Sequence, residues 1–134
     1  MALVNYLGVL VAAVASFLFG GVWYGILSKQ WMAAIGKTPE MIKSQGNMAV
    51  PMVITAICQL VMAYMLAGLI GHLGPVTFRG GVIAAVLVWI GFVATTLIVN
   101  HSFQGQPRAL TLIDGGHWLG VLLIQGAIIG LIGR

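Results

Sequence analysis

The chain has 134 residues, of which 60% are hydrophobic and 6% are charged, and its formal net charge is +4 at pH 7. With a mean hydropathy of +1.08, it has too few polar side chains to cover the surface of a soluble protein. Its six cations are scattered at the ends of apolar segments, which favours anchoring in a lipid bilayer over binding of nucleic acid.

Four apolar segments are each long enough to cross a bilayer as a helix. They lie near residues 3–27, 48–70, 80–99 and 109–132. About 20 helical residues match the hydrocarbon thickness, and a helix satisfies its own backbone hydrogen bonds where lipid offers none. The segments do not follow the period-two alternation of a membrane β-barrel. The sequence therefore predicts an all-α integral membrane protein, a four-helix bundle in a single transmembrane domain.

The connection between the first and second spans is the longest, and it carries much of the charge. Thr38 is a suitable N-cap, Pro39 suits the first helical position and Glu40 lies near the positive end of the helix dipole. Gly46 could end this helix. We expect a short interfacial helix here, with a lid over the polar end of the bundle as the alternative.

Cations in the connections predict the orientation of the chain. Lys29, Lys37, Lys43 and Arg108 flank the first and third connections, whereas Arg79 and Arg134 lie on the side of the amino terminus. Loops rich in Lys and Arg tend to remain in the cytoplasm. This distribution predicts that both termini lie outside the cytoplasm.

When residues are projected around a helix at about 100° each, the polar residues of each span, with some aromatic ones, lie on one face. These faces are Asn5, Ser16 and Trp23 on the first span; Thr55, Gln59 and Met62 on the second; Trp89, Phe92, Thr96 and Asn100 on the third; and Asp114, His117, Trp118, Val121 and Gln125 on the fourth. We expect these faces to point inward, away from lipid. Gln59, Thr96 and Gln125 are the candidate core polar residues, or part of a pathway.

One end of the bundle is predicted to hold a polar cluster. Its members are Trp23, Tyr24, Asn100, His101, Arg108, Asp114 and His117. Asp114 is the only acid within a span, and a buried carboxylate must be paired or protonated. Arg108 and His117 are its expected partners. The cluster could be a structural network, a proton or ion relay, or a metal site with Asp114, His117 and His101 as ligands.

Neither catalysis nor a bound cofactor is expected from the sequence. Three scattered ligands lack the dense spacing of a metal motif, and no nucleophile motif surrounds Ser102 beside His101. Small residues four apart, such as Gly116 with Gly120 and Gly126 with Gly130, indicate close helix packing, either within the bundle or between copies of the chain.

Several short motifs recur in one known family. The segment Phe19–Gly25, followed by Trp31 and Gly36, then Trp89–Phe92 and Ile113–Gly116, resembles the family catalogued as domain of unknown function 1761. The resemblance implies a small, largely bacterial multi-span membrane protein and transfers no catalytic role.

Three functions remain open from the sequence. The leading hypothesis is a bacterial inner-membrane protein that forms a homo-oligomer or serves as an accessory component of a larger membrane complex. The first alternative is a proton- or ion-coupled transporter or channel subunit that uses the polar cluster. The second is a ligand- or metal-binding redox protein built on the same residues.

Overall fold

The protein was analysed as a computed structural model that describes residues 4–134. In chain order its α-helices are α1 (Tyr6–Ile26), α2 (Ser28–Ile35), α3 (Pro39–Ser44), α4 (Ala49–Leu73), α5 (Phe78–Val88), α6 (Thr95–Phe103) and α7 (Arg108–Ile132). A π-helical segment, Trp89–Ala94, joins α5 to α6, so that Phe78–Phe103 forms one span. Four helices are thus long and apolar enough to cross a membrane, which confirms the predicted all-α architecture.

The helices end within about one turn of the predicted spans, with differences that follow from local sequence. Leu3, where the first span was predicted to begin, lies outside the described residues. Asn5 caps α1 through its Oδ1, which accepts a hydrogen bond from the backbone N–H of Gly8 at 3.2 Å. The third span continues to Phe103 because polar residues after the apolar segment still form helical hydrogen bonds.

The first connection forms two short helices, where the sequence predicted one. Gly36, with φ 71°, adopts the left-handed conformation that ends α2, as glycine allows. The predicted start of the second helix is confirmed, because the Thr38 Oγ1 accepts a hydrogen bond from the Met41 N–H at 3.2 Å. Helix α2 packs back against α7, so this part of the connection covers one end of the bundle.

Helix α7 is the centre of the bundle. It contacts α1, α2, α4, α5, the π-helical segment and α6, and 44% of its apolar window is buried. Glycines bring α5 and α7 together, since a Cβ at Gly81 would overlap the Gly126 carbonyl and one at Gly130 would overlap the Thr77 carbonyl. These pairs serve close packing within one chain.

The π-helical segment moves the inward face of the third span by one position. Trp89 points inward, but Phe92 is 73% exposed, and Thr96 and Asn100 are also exposed. The predicted face is therefore wrong beyond Trp89. A π-helical turn holds an extra residue, so Val93, Leu97 and His101, each one position later in the chain, take the inward places.

Candidate functional site

Asp114 lies on α7 with its side chain 20% exposed. The hydroxyl of Tyr24, from the last turns of α1, donates a hydrogen bond to Asp114 Oδ1 at 2.7 Å. Charge-assisted hydrogen bonds of this kind are among the stronger ones in proteins. Tyr24 is thus the hydrogen-bond partner of the carboxylate, where the sequence had predicted Arg108 and His117.

His101 approaches the second carboxylate oxygen from the end of α6. Its Nε2 lies 3.9 Å from Asp114 Oδ2, which is too far for a hydrogen bond. The other ring nitrogen, Nδ1, lies 2.8 Å from the Thr111 Oγ1 on α7 and shares a hydrogen bond with it. Tyr24, Asp114, His101 and Thr111 therefore form a row across α1, α7 and α6, with one gap of 3.9 Å between His101 and Asp114.

Two residues of the predicted cluster lie elsewhere. Arg108 is the first residue of α7 and is exposed. It precedes Asp114 by six positions, which turns it about 240° around the helix axis. Within residues 4–134, no Lys or Arg lies within ion-pair distance of Asp114. Asn100 is exposed because the π-helical segment directs His101 inward in its place.

His117 is buried among aromatic rings, with 4% of its surface exposed. Its ring centroid lies 4.8 Å from that of Tyr24, 4.5 Å from that of Trp118 and 6.2 Å from that of Phe19. Gly20 on α1 makes room for it, since a Cβ there would lie 2.8 Å from His117 Nε2. The buried Nδ1 has no hydrogen-bond partner among the described residues.

Two tryptophans hold α7 on either side of Asp114. The indole N–H of Trp23 donates to the Ile113 carbonyl at 3.0 Å, and that of Trp89 donates to the Gly115 carbonyl at 2.9 Å. The Trp23 ring lies over Gly116, where a Cβ would come within 2.8 Å of it. These bonds fix the depth and rotation of α7 relative to α1 and the π-helical segment, which in turn positions Asp114.

A second polar group lies deeper in the bundle. The Ser16 hydroxyl lies 2.8 Å from Gln59 Oε1, and Gln125 Nε2 donates to Ser16 Oγ and to the Gln59 carbonyl, each at 3.1 Å. All three residues are at most 1% exposed. This network joins α1, α4 and α7, the three helices that meet at the core. Gln59 and Gln125 thus lie inside, whereas the third candidate core residue, Thr96, faces outward.

Trp31 on α2 lies over the polar end of the bundle. Its ring meets that of Tyr24 edge-on, with centroids 6.0 Å apart. Because α2 also packs against α7, the structure supports the lid described as an alternative for this connection. The sequence signals for Trp31 and Thr111 were weak, since an interfacial tryptophan and a threonine near a helix start are ordinary in membrane proteins.

The structure brings together five of the seven predicted cluster residues: Trp23, Tyr24, His101, Asp114 and His117. The described residues contain no group of three His, Cys, Asp or Glu side chains placed to hold a metal ion. In chemical terms, the site is a carboxylate surrounded by aromatic and imidazole side chains. It can accept hydrogen bonds, pass a proton along a row of hydroxyl and imidazole groups, or attract a cation.

Comparison with known proteins gives one match. The profile of the family described as "Protein of unknown function (DUF1761)" matches residues 7–130. No curated protein and no solved structure matches the chain.

Proposed function

The chain belongs to the family described as Protein of unknown function (DUF1761), and we propose that it is a self-associating membrane protein whose copies meet along the span Phe78–Phe103. The observation that carries this proposal is the poor coverage of that span. Only 11% of its apolar window is buried, against 28%, 33% and 44% for the other three. This span packs on α7 and, to a smaller extent, on α4, and the rest of it is open to lipid or to another copy.

The open side of this span carries groups that favour protein over lipid. Thr95 and Thr96 point outward and donate hydrogen bonds to the carbonyls of Gly91 and Phe92 in their own helix. Asn100 is exposed and its side chain makes no hydrogen bond among the described residues. Helix interfaces accept Asn, Thr and Gly readily, so this side of the span suits contact with a second helix.

Asn100 also favours a second copy of this chain over an unrelated partner. A carboxamide both donates and accepts hydrogen bonds. Two such groups related by a twofold axis satisfy each other, and twofold symmetry is the commonest arrangement of homo-oligomers. The glycine pairs of α7 are already used inside the bundle, so the third span is the better surface.

The test compares the oligomeric state of purified variants in detergent and in bilayers by single-molecule photobleaching. Asn100→Leu is expected to shift the population toward monomers. Gly21→Leu is the matched control, because Gly21 lies on an exposed face of α1 where a Cβ meets no described residue within 4 Å. A wild-type protein that is monomeric in bilayers would exclude the proposal, and dissociation by Gly21→Leu alone would assign the interface to α1.

A disulfide test addresses the same interface directly. In a Cys58→Ser background, which removes the single cysteine, Asn100→Cys is expected to form a cross-linked dimer on mild oxidation. A cysteine at Ile57, which is 58% exposed on α4, should cross-link much less. Equal cross-linking at both positions would indicate random collision rather than association along the third span.

The row Tyr24, Asp114, His101 and Thr111 supports a second candidate function, a proton- or ion-coupled transporter. Asp114 is the only acid in the four spans, and its side chain is partly exposed. In liposomes, wild-type protein would then carry a proton or ion flux that Asp114→Asn abolishes. Glu40→Gln, which changes the only other acid in the chain, is the control and should leave the flux intact.

The membrane and its orientation are also part of the proposal. The distribution of cations and the resemblance to a largely bacterial family support a bacterial inner membrane with both termini outside the cytoplasm. In the described residues, the end of the bundle that holds Asp114 is the end with the first and third connections. The candidate site would therefore lie in the cytoplasmic leaflet.

A further inference from the structure

We propose that the Asp114 end of the bundle binds a primary ammonium group, supplied either by a lipid headgroup or by a small amine. This binding site goes beyond the proposed self-association, because every element that forms it belongs to one chain. Its centre is Asp114 Oδ2, and its walls are the rings of Tyr24, Trp31 and Trp118.

The first argument is the unfilled hydrogen-bonding capacity of the carboxylate. Asp114 Oδ1 accepts from the Tyr24 hydroxyl at 2.7 Å. Among the described residues, Asp114 Oδ2 accepts no hydrogen bond, and His101 Nε2 lies 3.9 Å from it. An ionised carboxylate offers about four acceptor positions, so Oδ2 can still accept N–H groups from a ligand. The 20% exposure of the side chain leaves it a route of approach.

The second argument concerns charge. None of the cations in residues 4–134 pairs with Asp114, although a carboxylate in a membrane protein interior is costly without a positive partner. The nitrogen that lies 3.9 Å from Asp114 Oδ2 belongs to His101, and a histidine is charged only when it binds a proton. A ligand cation would supply the missing charge. A metal ion fits less well, because the described residues offer no group of three ligands.

The third argument is the surrounding aromatic wall. Trp31 and Tyr24 meet edge-on with centroids 6.0 Å apart, Tyr24 lies 4.8 Å from His117, and His117 lies 4.5 Å from Trp118. Aromatic faces attract ammonium groups, and most strongly when water is excluded. The indole N–H groups of Trp23 and Trp89 already donate to backbone carbonyls of α7. These two residues therefore hold the helices in place and do not compete with the ligand for Asp114.

The fourth argument is a buried histidine nitrogen that lacks a hydrogen-bond partner among the described residues. His117 is 4% exposed, and its Nδ1 has no hydrogen-bond partner among the described residues. Its ring is tilted by 52° against that of the same Tyr24 that bonds Asp114, with centroids 4.8 Å apart. Buried polar atoms are nearly always satisfied in folded proteins, so the unsatisfied Nδ1 of His117, three residues after Asp114 on α7, is a further atom that a polar ligand can satisfy.

The position of the site sets the class of ligand. Asp114 lies six residues into α7, about 9 Å along the helix axis from its first residue. That depth is close to the headgroup region. Phosphatidylethanolamine presents a primary ammonium at this level, and a small water-soluble amine would reach the same place beneath α2.

The test follows tryptophan fluorescence, since Trp31 and Trp118 line the site. Protein in non-ionic detergent is titrated with ethanolamine at constant ionic strength. Wild type and Glu40→Gln are expected to show a saturable change, and Asp114→Asn is expected to bind at least about tenfold more weakly. Asp114→Glu, which keeps the charge, should retain measurable binding. A flat wild-type titration, or equal affinity in Asp114→Asn, would overturn the proposal.

Two further arms complete the experiment. If Asp114→Asn does not fold, as judged by helicity and elution volume, Trp31→Leu replaces it, because it shortens the aromatic wall and leaves the carboxylate. Weaker binding is then expected, and unchanged affinity contradicts the proposal. Repeating the titration in bilayers separates the two sources of the amine. A response in phosphatidylcholine that is lost in phosphatidylethanolamine identifies the lipid headgroup, whereas an equal response in both identifies the soluble amine.

Discussion

Gly20 and Gly21 are neighbours in sequence but meet different surroundings. Gly20 is buried, and a Cβ there would lie 2.8 Å from the His117 ring. Gly21 is exposed, and a Cβ there meets nothing within 4 Å among residues 4–134. The first glycine is required by an aromatic side chain from another helix, and no contact among the described residues requires the second. Substituting each glycine in turn therefore distinguishes the effect of packing on stability from the effect of helix propensity.

We expect Gly20→Ala to lower the free energy of unfolding by about 1–3 kcal/mol, because the His117 ring sits between other rings and has little room to move. Gly21→Ala should change it by less than about 1 kcal/mol, in the stabilising direction, since alanine favours helix. Denaturant titration in detergent, followed by far-ultraviolet circular dichroism, measures both. Equal effects of the two changes would contradict the packing of His117 on α1.

Ser16 provides a second comparison at this scale. Ser16→Ala removes the hydroxyl between Gln59 and Gln125, so both amides lose a buried partner, and we expect a loss of about 1 kcal/mol. Ser44→Ala removes an exposed hydroxyl that bonds its own helix backbone, and it should cost less than about 0.5 kcal/mol. The same unfolding measurement applies. A neutral Ser16→Ala would show that the network does not stabilise the core.

Among the elements, the third span shows most clearly what sequence patterns can and cannot predict. Its length and apolar composition predicted a span, and Trp89 was correctly placed on the inward face. Projection at a fixed angle then assigned Thr96 and Asn100 inward. The π-helical segment Trp89–Ala94 adds one residue to a turn. No pattern in the local sequence predicts this segment. The register of every later side chain in the span is therefore shifted.

The inward face of α7 was predicted correctly, because this helix is α-helical throughout. Its predicted face lies inward, with His117, Val121 and Gln125 buried. The partners of that face were harder to predict. That Tyr24 bonds Asp114, or that Trp23 and Trp89 bond backbone carbonyls, depends on how helices distant in sequence rotate against each other. Periodicity fixes which side of a helix is buried, and tertiary packing decides which atoms meet there.

The π-helical segment leads to a prediction about deletions. Deleting Gly91 should convert the segment to α-helix while Trp89 and His101 both stay inward, so unfolding free energy should fall by no more than about 1 kcal/mol. Deleting Leu123 from α7 rotates the rest of that helix by about 100° and should cost more than about 4 kcal/mol or prevent folding. Helicity and thermal unfolding distinguish the two. Equal damage would contradict the inferred register.

For the whole molecule, the arrangement of charges is the feature from which we predict the orientation. The described helices run in alternating directions, so Lys29, Lys37, Lys43 and Arg108 lie at the Asp114 end, and Arg79 and Arg134 lie at the other. The difference of four against two is modest. Such a balance makes orientation sensitive to single substitutions.

We expect an alkaline phosphatase fused after Arg134 to be active outside the cytoplasm. Replacing Lys37 and Lys43 with Gln leaves two cations at each end, and the population should then split between both orientations. Glu40→Gln, in the same connection, is the control and should not change the result, since acids contribute little to orientation. An inactive wild-type fusion would reverse the assignment.

The central place of α7 has a consequence for biogenesis. This helix is the last of the four spans to leave the ribosome, yet it supplies the acceptors for Trp23 and Trp89 and the amide that bridges Ser16 to Gln59. Until α7 inserts, the earlier spans lack the helix that they all contact. Their hydrophilic groups are then in the bilayer without the hydrogen-bond partners that α7 supplies. The bundle is therefore expected to assemble only once α7 has inserted, and a nascent chain halted before α7 should be especially vulnerable to membrane proteases.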